Sequence, residues 1–503
     1  MGDVEDPDLI SDLPQSILES ILTRLPIRDA VRTSILSSKW RYRWTTLTHL
    51  VFDDKCVSDR PVVENCMIKF ITRALFLHQG PIHKFHLSTS YLQCCPDIDQ
   101  WILFLSRSDI KELVLELGEG EWFRVPSCLF NCKKLTHLEL FRCEFDPPPT
   151  FKGFLCLRSL SLHQVLVAPE AIESLISGCP LLESLALSYF DSLALNIHAP
   201  NLKYLCLEGE FTDICLENTP LLVAMSVAMY MNDDIAECFE QSSSCNFIKF
   251  LGGVPRLERL AGHIYFTKYL SIGDYPGSQA ITYSHLKIIE LYQVSFEDMK
   301  EIRVVLRLIT NSPNLKELRV SGLSTVVASA EALDLEFWSK DCPKDCTFKQ
   351  LKVVKMADMS GVPHEMEFLK FLLVNSPVLE TMSITPCVYV MDGRLNMLVQ
   401  LESALHGNGI GTIHTCYFPF RNSVYSLILY TTRVHYTSSY NSIADGHQWQ
   451  YASLNYLAMK FPVAEEGMAR QPLDERSPSK TNCLSSHPSS DHEFHDAVIT
   501  LMY

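Results

Sequence analysis

The middle of the chain repeats a short phrase with apolar residues in its first, fourth and sixth places. Clear copies read LTHLEL, LRSLSL, LESLAL and LKYLCL. Eleven copies start at residues 110, 135, 157, 182, 202, 222, 257, 286, 315, 351 and 379. The last apolar places of each copy alternate with other residues, as in a strand that has one buried face. The pattern therefore predicts a short β-strand in every copy.

Segments with helical spacing lie between several copies, notably PEAIESLISGCP and EDMKEIRVVLRLITNSP. Five copies follow shortly after a proline, in GCP, HAP, NTP and two NSP tripeptides, and such a proline ends a helix and favours an extended entry. This phrase at a period of 20–29 residues is typical of leucine-rich repeats. We therefore predict an α/β fold, a leucine-rich-repeat solenoid with parallel strands on its concave face. A compact α/β domain with coincidental leucine spacing is the alternative.

A second apolar pattern occupies DLPQSILESILTRLPIRDAVRTSILSSKWRYRW, residues 12–44. Its first part has helical spacing. Pro14 suits the first turn of a helix that Ser11 or Asp12 could cap. Pro26 ends this helix, because the residue before a proline is pushed out of the α region. The apolar residues of the first helix are Pro14, Ile17, Leu18, Ile21, Leu22 and Leu25.

Two further short helices are predicted before this pattern stops. Asp29 could cap the second, and a third could start at residues 37–38 and place Trp40 and Trp44 one turn apart. A unit of about 35 residues cannot bury this much apolar surface alone. The first cysteine is Cys56, so no disulfide lies within the unit. We therefore expect another protein, or the rest of the chain, to cover part of the unit.

This N-terminal unit resembles an F-box over some 35 residues, in LPQSILESILTRLPIRDAVRTSILSSKWRYRW. One departure is Arg43, where members of that family often carry leucine. F-boxes dock on the small adaptor subunit of Skp–cullin–F-box ubiquitin ligases. The resemblance implies that the first helix is the adaptor-binding surface, through Leu13, Pro14, Ile17, Leu18, Ile21, Leu22 and Leu25. The residues themselves leave open an ordinary amphipathic helix packed on the following domain.

Residues 346–384, CTFKQLKVVKMADMSGVPHEMEFLKFLLVNSPVLETMSI, resemble the FBD element that follows the repeats in many plant F-box proteins. The pattern predicts a strand from Leu351 to Met356, a helix from Glu365 to Val374 and a strand from Leu379 to Ile384. It therefore reads as one more repeat-like unit that caps the array. The chain as a whole resembles the plant F-box/FBD/leucine-rich-repeat proteins from about residue 9 to residue 395.

These patterns divide the chain into five predicted regions. They are an acidic N-terminal tail (1–8), the F-box (9–49), the solenoid (50–345, with LVFDD as its first strand), the FBD element (346–395) and a divergent tail (396–503). Residues 464–495 are rich in Ser, Pro and charge, so we expect most of the tail to be disordered. Residues 420–440 are the exception, because their β-branched and aromatic content suits a strand or two against the last repeat.

The net charge of −16 argues against nucleic-acid binding, which needs clustered lysine and arginine. The eighteen cysteines are scattered, and several occupy apolar positions, which favours reduced, buried thiols in a nuclear or cytoplasmic protein. The acidic start MGDVEDPDLI has no apolar core of a signal peptide, and no run of about 18 apolar residues follows. We expect no membrane association and a location in the nucleus, the cytoplasm or both.

Motifs that would indicate catalysis do not occur. The sequence has no phosphate-binding glycine loop, no G-x-S-x-G and no H-E-x-x-H. The pairs Cys128/Cys132 and Cys342/Cys346 have no second pair at zinc-like spacing, so structural thiols are the simpler interpretation. We expect no catalytic residue, no metal and no cofactor.

The resemblance implies a substrate-receptor subunit of a Skp–cullin–F-box ligase, whose partners are a Skp-type adaptor, a cullin reached through it, and a protein substrate of unknown identity. A leucine-rich-repeat scaffold without ligase function is the alternative, and an enzyme with a hidden site is a third. Side chains between the inward leucines should face the substrate, by alternation along each strand. These are His137, Glu139, Phe141, His163, Tyr204, Glu208, Arg259, His263, Glu290, Tyr292 and Arg319.

Overall fold

In the computed structural model, a sheet of fourteen strands follows the chain from residue 49 to residue 430. The structure describes residues 13–56, 63–90, 92, 95–118, 122–230, 246–273, 281–323, 335–340, 342–343, 346–387 and 427–430. The strands lie across the sheet in chain order, and each pairs in parallel with its neighbours except at the last pairing. The predicted α/β solenoid is confirmed.

The strands of this sheet are β1 (His49–Asp53), β2 (Lys84–Ser88), β3 (Glu112–Glu116), β5 (His137–Phe141), β7 (Ser159–His163), β8 (Ser184–His198), β9 (Tyr204–Glu217), β10 (Ala224–Met229), β11 (Arg259–Gly262), β12 (Ile288–Val294), β13 (Glu317–Gly322), β14 (Val353–Met359), β15 (Thr381–Pro386) and β16 (Leu427–Tyr430). Two short strands, β4 (Phe123–Arg124) and β6 (Cys143–Glu144), pair with each other in a separate sheet.

The α-helices of the described residues are α1 (Gln15–Leu22), α2 (Ile27–Arg32), α3 (Val63–Leu77), α4 (Ile98–Arg107), α5 (Pro169–Ser177), α6 (Asn246–Leu251), α7 (Phe266–Ser271), α8 (Met299–Thr310), α9 (Glu336–Lys340) and α10 (Pro363–Asn375). Short 3-10 helices occupy Thr33–Ile35, Arg43–Thr46, Asp54–Cys56 and Ser127–Asn131. The helices from α3 onward lie between strands of the sheet, and their apolar sides share one core with it.

Each of the eleven repeat phrases begins two residues before a strand, from β3 to β15. The fourth position of the phrase forms one continuous row across the sheet, because these residues are paired in register from strand to strand. No side chain of this row is more than 1% exposed. Truncating one such side chain to alanine would cost about 2–5 kcal/mol of stability. The row comprises Leu113, Leu138, Leu160, Leu185, Leu205, Met225, Leu260, Ile289, Leu318, Val354 and Met382.

Two strands precede the eleven copies. LVFDD forms β1 as predicted. The next strand, β2, was missed, although IHKFHL carries the same phrase with isoleucine and phenylalanine in place of leucine. Ile82, Phe85 and Leu87 are fully buried, as the leucines of the later copies are. A pattern that accepts any large apolar residue would have found this strand.

The helices predicted between the strands are confirmed. PEAIESLIS forms α5, and the second helical segment forms α8, which Asp298 caps by accepting a hydrogen bond from the Lys300 amide at 2.8 Å. The strand, helix and strand predicted for residues 351–384 are β14, α10 and β15. Glu365 is buried at the start of α10 and accepts hydrogen bonds from the backbone amides of residues 360–362, which stabilises the turn that enters the helix.

The last strand of the sheet comes from the divergent tail. β16 lies within the segment 420–440, where composition predicted a strand, and it pairs antiparallel with β15 through Ile384 and Leu427. The segment that contains β16 lacks the repeat phrase, and the antiparallel pairing agrees with this. A further repeat would add its strand parallel to β15. The disorder predicted for residues 464–495 falls outside the described residues.

The N-terminal unit differs from prediction in two places. α2 starts directly after Pro26, whose carbonyl accepts the first helical hydrogen bonds, so Asp29 lies in the first turn of α2 and does not cap it. The third helix is replaced by turns and the 3-10 helix Arg43–Thr46, and both Trp40 and Trp44 are still buried. A cap of α1 by residues 11 or 12 lies outside the described residues.

No disulfide joins the described cysteines. Burial raises the pKa of Cys132 to about 12 and that of Cys179 to about 11, which keeps both protonated and unreactive at neutral pH. In the described part of the chain, no helix combines the length and apolar character needed to cross a membrane.

Candidate functional site

The first helix, α1, divides its apolar residues between two directions. Leu18 and Leu22 are each 1% exposed and lie in the core of the protein itself. Ile17 and Ile21 on α1, and Leu25 in the turn that follows it, are 45%, 38% and 37% exposed. We call these three residues the N-terminal apolar stripe. Since a helix turns by 100° per residue, neighbours such as Ile17 and Leu18 cannot share one narrow face.

The predicted adaptor surface therefore splits in the structure. Pro14 is exposed beside the N-terminal apolar stripe, and Leu13 is half-buried against the core. Leu18 and Leu22 already contact their own chain, so a partner could reach them only after rearrangement of α1. The apolar band of α1 is wider than a single contact surface. One edge, with Leu18 and Leu22, belongs to the apolar core of the chain, and the other edge faces solvent.

Sequence reasoning missed other exposed apolar residues in this unit. Ile35, Leu36 and Tyr42 are 53%, 67% and 48% exposed. Ile35 lies in the 3-10 helix that follows α2. The sequence contained a signal for these exposed residues, because apolar residues continue between α2 and Trp40, in a segment that forms no further α-helix.

The N-terminal unit is tied to the start of the sheet by several hydrogen bonds. A ring nitrogen of His78, Nε2, lies 2.8 Å from the carbonyl oxygen of Leu47, and the Gln79 amide donates to the carbonyl of Thr45 at 2.9 Å. Burial lowers the pKa of His78, which favours the neutral ring at this junction. The apolar cores of the unit and of β1 are continuous. The N-terminal apolar stripe is thus held at a fixed position relative to the first repeats.

The side of the sheet opposite the helices carries the predicted substrate residues, and we call it the open face. On β5 and β7 they form one cluster. His137 Nε2 lies 3.5 Å from Glu139 Oε2, and His163 Nε2 lies 3.8 Å from Glu139 Oε1. The ring of His163 stacks on Phe141 with centroids 4.3 Å apart. All four predicted residues of these strands therefore meet.

Charge and burial oppose each other in this cluster. Burial raises the pKa of Glu139, but the hydrogen bond from His137 and the attraction of His137 and His163 outweigh it and hold the pKa below its usual value. Burial lowers the pKa of His163, against the attraction of Glu139. Ser161 Oγ lies 2.7 Å from His163 Nε2, the nitrogen that also faces Glu139. A serine–histidine–acid triad needs its acid at the other ring nitrogen, so this arrangement is not one.

A second cluster surrounds Glu208 on β9. Glu208 is only 3% exposed, so it does not offer its carboxylate to solvent as alternation alone predicted. Tyr230 donates a hydrogen bond to Glu208 at 2.7 Å, and Tyr189 also donates to it. Burial raises the pKa of Glu208, against these hydrogen bonds, which favour the ionised form. The two tyrosines were missed because they follow the repeat phrase. Tyr204, the first residue of β9, is half-buried.

The third cluster lies on β11, β12 and β13. Glu290 is 1% exposed and lies between two arginines. Arg259 Nη2 is 2.8 Å from Glu290 Oε2, and Arg319 Nη1 is 2.6 Å from Glu290 Oε1. The ring of His263 stacks on Tyr292 with centroids 4.9 Å apart. The structure thus brings together all five predicted residues of these strands, with Glu290 as their buried centre.

These clusters form an ion-paired and aromatic surface suited to holding another molecule. Arginine and tyrosine are the residue types that contribute most at protein interfaces. Among the described residues, no group of three or more histidine, cysteine, aspartate or glutamate side chains could hold a metal ion. The open face therefore combines buried ion pairs with stacked aromatic rings.

Comparison with known protein families divides the chain into three matched regions. The F-box domain family matches residues 10–51. The family described as "FBD-associated F-box protein At5g56370, LRR repeats" matches residues 98–320. The FBD family matches residues 341–384. Proteins built from these families typically act as adaptors or interaction modules.

Curated relatives from Arabidopsis thaliana align over most of their length. The F-box/FBD/LRR-repeat protein At1g13570 is 64% identical over 400 residues, which are 79% of this chain and 95% of the relative. The F-box/FBD/LRR-repeat protein At3g26920 is 26% identical over 442 residues, 80% of this chain and 95% of the relative. The FBD-associated F-box protein At4g10400 is 28% identical over 409 residues, 78% of this chain and 96% of the relative. The chain belongs to the F-box/FBD/LRR-repeat protein family.

Proposed function

We propose that this protein is a substrate-receptor subunit of a Skp–cullin–F-box ubiquitin ligase. Its F-box docks on a Skp-type adaptor, and the adaptor connects it to a cullin. The open face of the repeats holds a protein substrate. No residue of this chain makes or breaks a bond in this proposal, because the receptor acts by keeping substrate lysines near the ubiquitin-carrying enzyme. We place this activity in the nucleus or the cytoplasm.

The observation that carries the proposal is the N-terminal apolar stripe. Ile17, Ile21 and Leu25 lie within the region that matches the F-box family, and each exposes more than a third of its surface. Large aliphatic residues at regular helical spacing are ordinarily buried in the core. A partner that covered them would bury this apolar surface without unfolding α1, since Leu18 and Leu22 already hold the helix to the core.

The size of the effect follows from the exposed fractions. Replacing isoleucine by alanine removes three carbon groups, worth about 0.8 kcal/mol each when fully buried. Ile17 is 45% and Ile21 is 38% exposed, so a partner can bury somewhat under half of each side chain. The double variant Ile17→Ala/Ile21→Ala should therefore lose about 2 kcal/mol of binding free energy, a weakening of roughly 30-fold.

The experiment measures binding of the purified full chain to a Skp-type adaptor by calorimetry. The matched control is Leu155→Ala/Val374→Ala, which also truncates two exposed aliphatic residues, 68% and 70% exposed, elsewhere on the chain. The control should bind the adaptor as the wild type does, and both variants should be folded at the temperature of the binding measurement. Equal adaptor affinity of wild type and Ile17→Ala/Ile21→Ala would contradict the proposal. A chain that binds a protein substrate but no adaptor would be a repeat scaffold without ligase function.

A further inference from the structure

Of the described carboxylates on the sheet, two are buried, and they differ in how their charge is balanced. Glu290 is 1% exposed and lies between two arginines, at 2.6 and 2.8 Å. Glu208 is 3% exposed, and its partners among the described residues are the neutral hydroxyl groups of Tyr230 and Tyr189. Hydroxyl groups that donate to a carboxylate favour its ionised form but do not cancel its charge. Within the described part of the chain, Glu208 is therefore a buried carboxylate without a cation of its own.

The sequence around Glu208 is acidic. The residues that follow Tyr230, 231–245, contain four carboxylates and no lysine, arginine or histidine. His163 and His263 lie two strands away on either side, and burial lowers the pKa of both rings, which favours their neutral form. Strands β7 to β10 contain no lysine or arginine and carry five carboxylates, which are Asp191, Glu208, Glu210, Asp213 and Glu217.

The cations that flank these strands have partners elsewhere. Lys203, directly before β9, lies 2.7 Å from Glu183. Arg259 lies two strands across and four residues along from Glu208, with its guanidinium 2.8 Å from Glu290. Strand steps of about 4.8 Å and residue steps of about 3.3 Å place the backbone positions of Arg259 and Glu208 about 16 Å apart. The charge of Glu208 is thus left for a group from outside the described chain to balance.

The two tyrosines cover Glu208 because the backbone holds them there. Tyr189 is the extra residue of a β-bulge between β8 and β9 and has a left-handed φ of 61°. A bulge of this kind turns a side chain out of the regular alternation. The Tyr230 amide donates to the carbonyl of the residue after Glu208 at 2.8 Å. The residues paired with Glu208 on β8 and β10 are Ser188 and Ala228, which are too short to cover it.

This cover suits a cation. A tyrosine hydroxyl that donates its hydrogen to a carboxylate keeps the capacity to accept a hydrogen bond at its oxygen. The carboxylate polarises the hydroxyl and makes its oxygen a stronger acceptor. Ammonium and guanidinium groups only donate, and the faces of tyrosine rings attract them as well. A cation can therefore balance Glu208 through Tyr189 and Tyr230 while both hydrogen bonds to the carboxylate remain.

We infer that Glu208, Tyr189 and Tyr230, which we call the Glu208 cluster, bind a lysine or arginine side chain of the substrate. The basic group donates to the tyrosine oxygens, with the carboxylate of Glu208 behind them. A neutral or acidic side chain at this point would leave the negative charge unbalanced, so the cluster selects by the sign of the charge. The inference rests on the proposed function in one respect only, that the repeats hold a protein.

The test is a selection from a displayed library of random 12-residue peptides on the purified full chain. Selected peptides should share a lysine or arginine at one position. Replacing this residue by glutamine in the peptide should weaken binding to the wild type about tenfold or more, since a hydrogen-bonded charge is lost. The same replacement should have little effect on binding to the variant Glu208→Gln, because the carboxylate that the basic residue balances is then absent.

The matched control is Glu217→Gln, the same change on an exposed residue of β9, about 30 Å along the strand from Glu208. In this variant the peptide replacement should weaken binding as much as in the wild type. Selected peptides without a shared basic residue, an equal loss in the wild type and Glu208→Gln, or no enrichment at all would overturn the inference.

Adaptor affinity is measured on the same samples, so that the two proposals can fail separately. A wild-type chain that binds selected peptides but no adaptor would refute the ligase role and leave the Glu208 cluster as proposed. A chain that binds the adaptor but shows no dependence on Glu208 would refute the present inference alone.

Discussion

Replacing Arg319 by alanine would remove a guanidinium group from a carboxylate that water scarcely reaches. Glu290 is 1% exposed, and Arg319 Nη1 lies 2.6 Å from its Oε1 oxygen. The second arginine, Arg259, would remain at 2.8 Å from Oε2. The same change releases Glu317, which keeps Lys355 at 3.3 Å. The variant therefore tests how much a half-compensated buried charge costs in this fold.

The magnitude follows from burial. Breaking a fully buried ion pair costs about 3–5 kcal/mol, mostly because the remaining charge stays desolvated. The Arg319 side chain is 35% exposed and Arg259 remains, so we expect about 2 kcal/mol for Arg319→Ala. Lys352 and Glu380 form an equally short pair at 2.6 Å, but their side chains are 55% and 58% exposed. Lys352→Ala should cost at most about 1 kcal/mol.

Hydrogen exchange of strand amides measures these costs locally, which suits a repeat protein whose unfolding need not be one transition. Arg319→Ala should speed exchange in β12 and β13 about 30-fold, and Lys352→Ala no more than about fivefold in β14 and β15. Equal effects of the two single variants would refute this account of burial.

Three further outcomes follow from buried groups. Burial raises the pKa of Glu208, so the folded state holds the proton of this carboxyl group more tightly than the unfolded state does. The stability of the wild type should therefore decline as the pH rises above the ordinary glutamate pKa. Glu208→Gln should remove this decline, which thermal unfolding at pH 5 and pH 7 measures. A variant less stable than wild type at pH 7 would contradict this. Gly178→Ala should cost about 1–3 kcal/mol in denaturant unfolding, because a Cβ would lie 2.1 Å from the backbone carbonyl oxygen of Lys152. Leu18→Ala should lower the unfolding temperature more than Ile17→Ala does, since Leu18 is 1% exposed and Ile17 is 45% exposed.

Local patterns along the chain account for most of the backbone. Eleven strands start two residues after the start of a repeat phrase, and the first strand follows from LVFDD. This worked because alternation along a strand and the helical period are short-range properties, and a repeated phrase stacks against copies of itself. The prediction of a third N-terminal helix was wrong, because turns and a 3-10 helix can bury two tryptophans as well as an α-helix can.

Which side chains remain available to a partner was decided by tertiary packing. The sequence by itself determined that Leu18 and Leu22 are apolar helix positions and that Glu208 and Glu290 are strand positions. Only the folded chain decides that all four side chains are buried. The reason is physical, because burial depends on neighbours that are distant in sequence. Glu290 is covered by arginines from the strands on either side, 31 and 29 residues away. Period and spacing therefore fix the direction of a side chain, and contacts between repeats fix whether solvent reaches it.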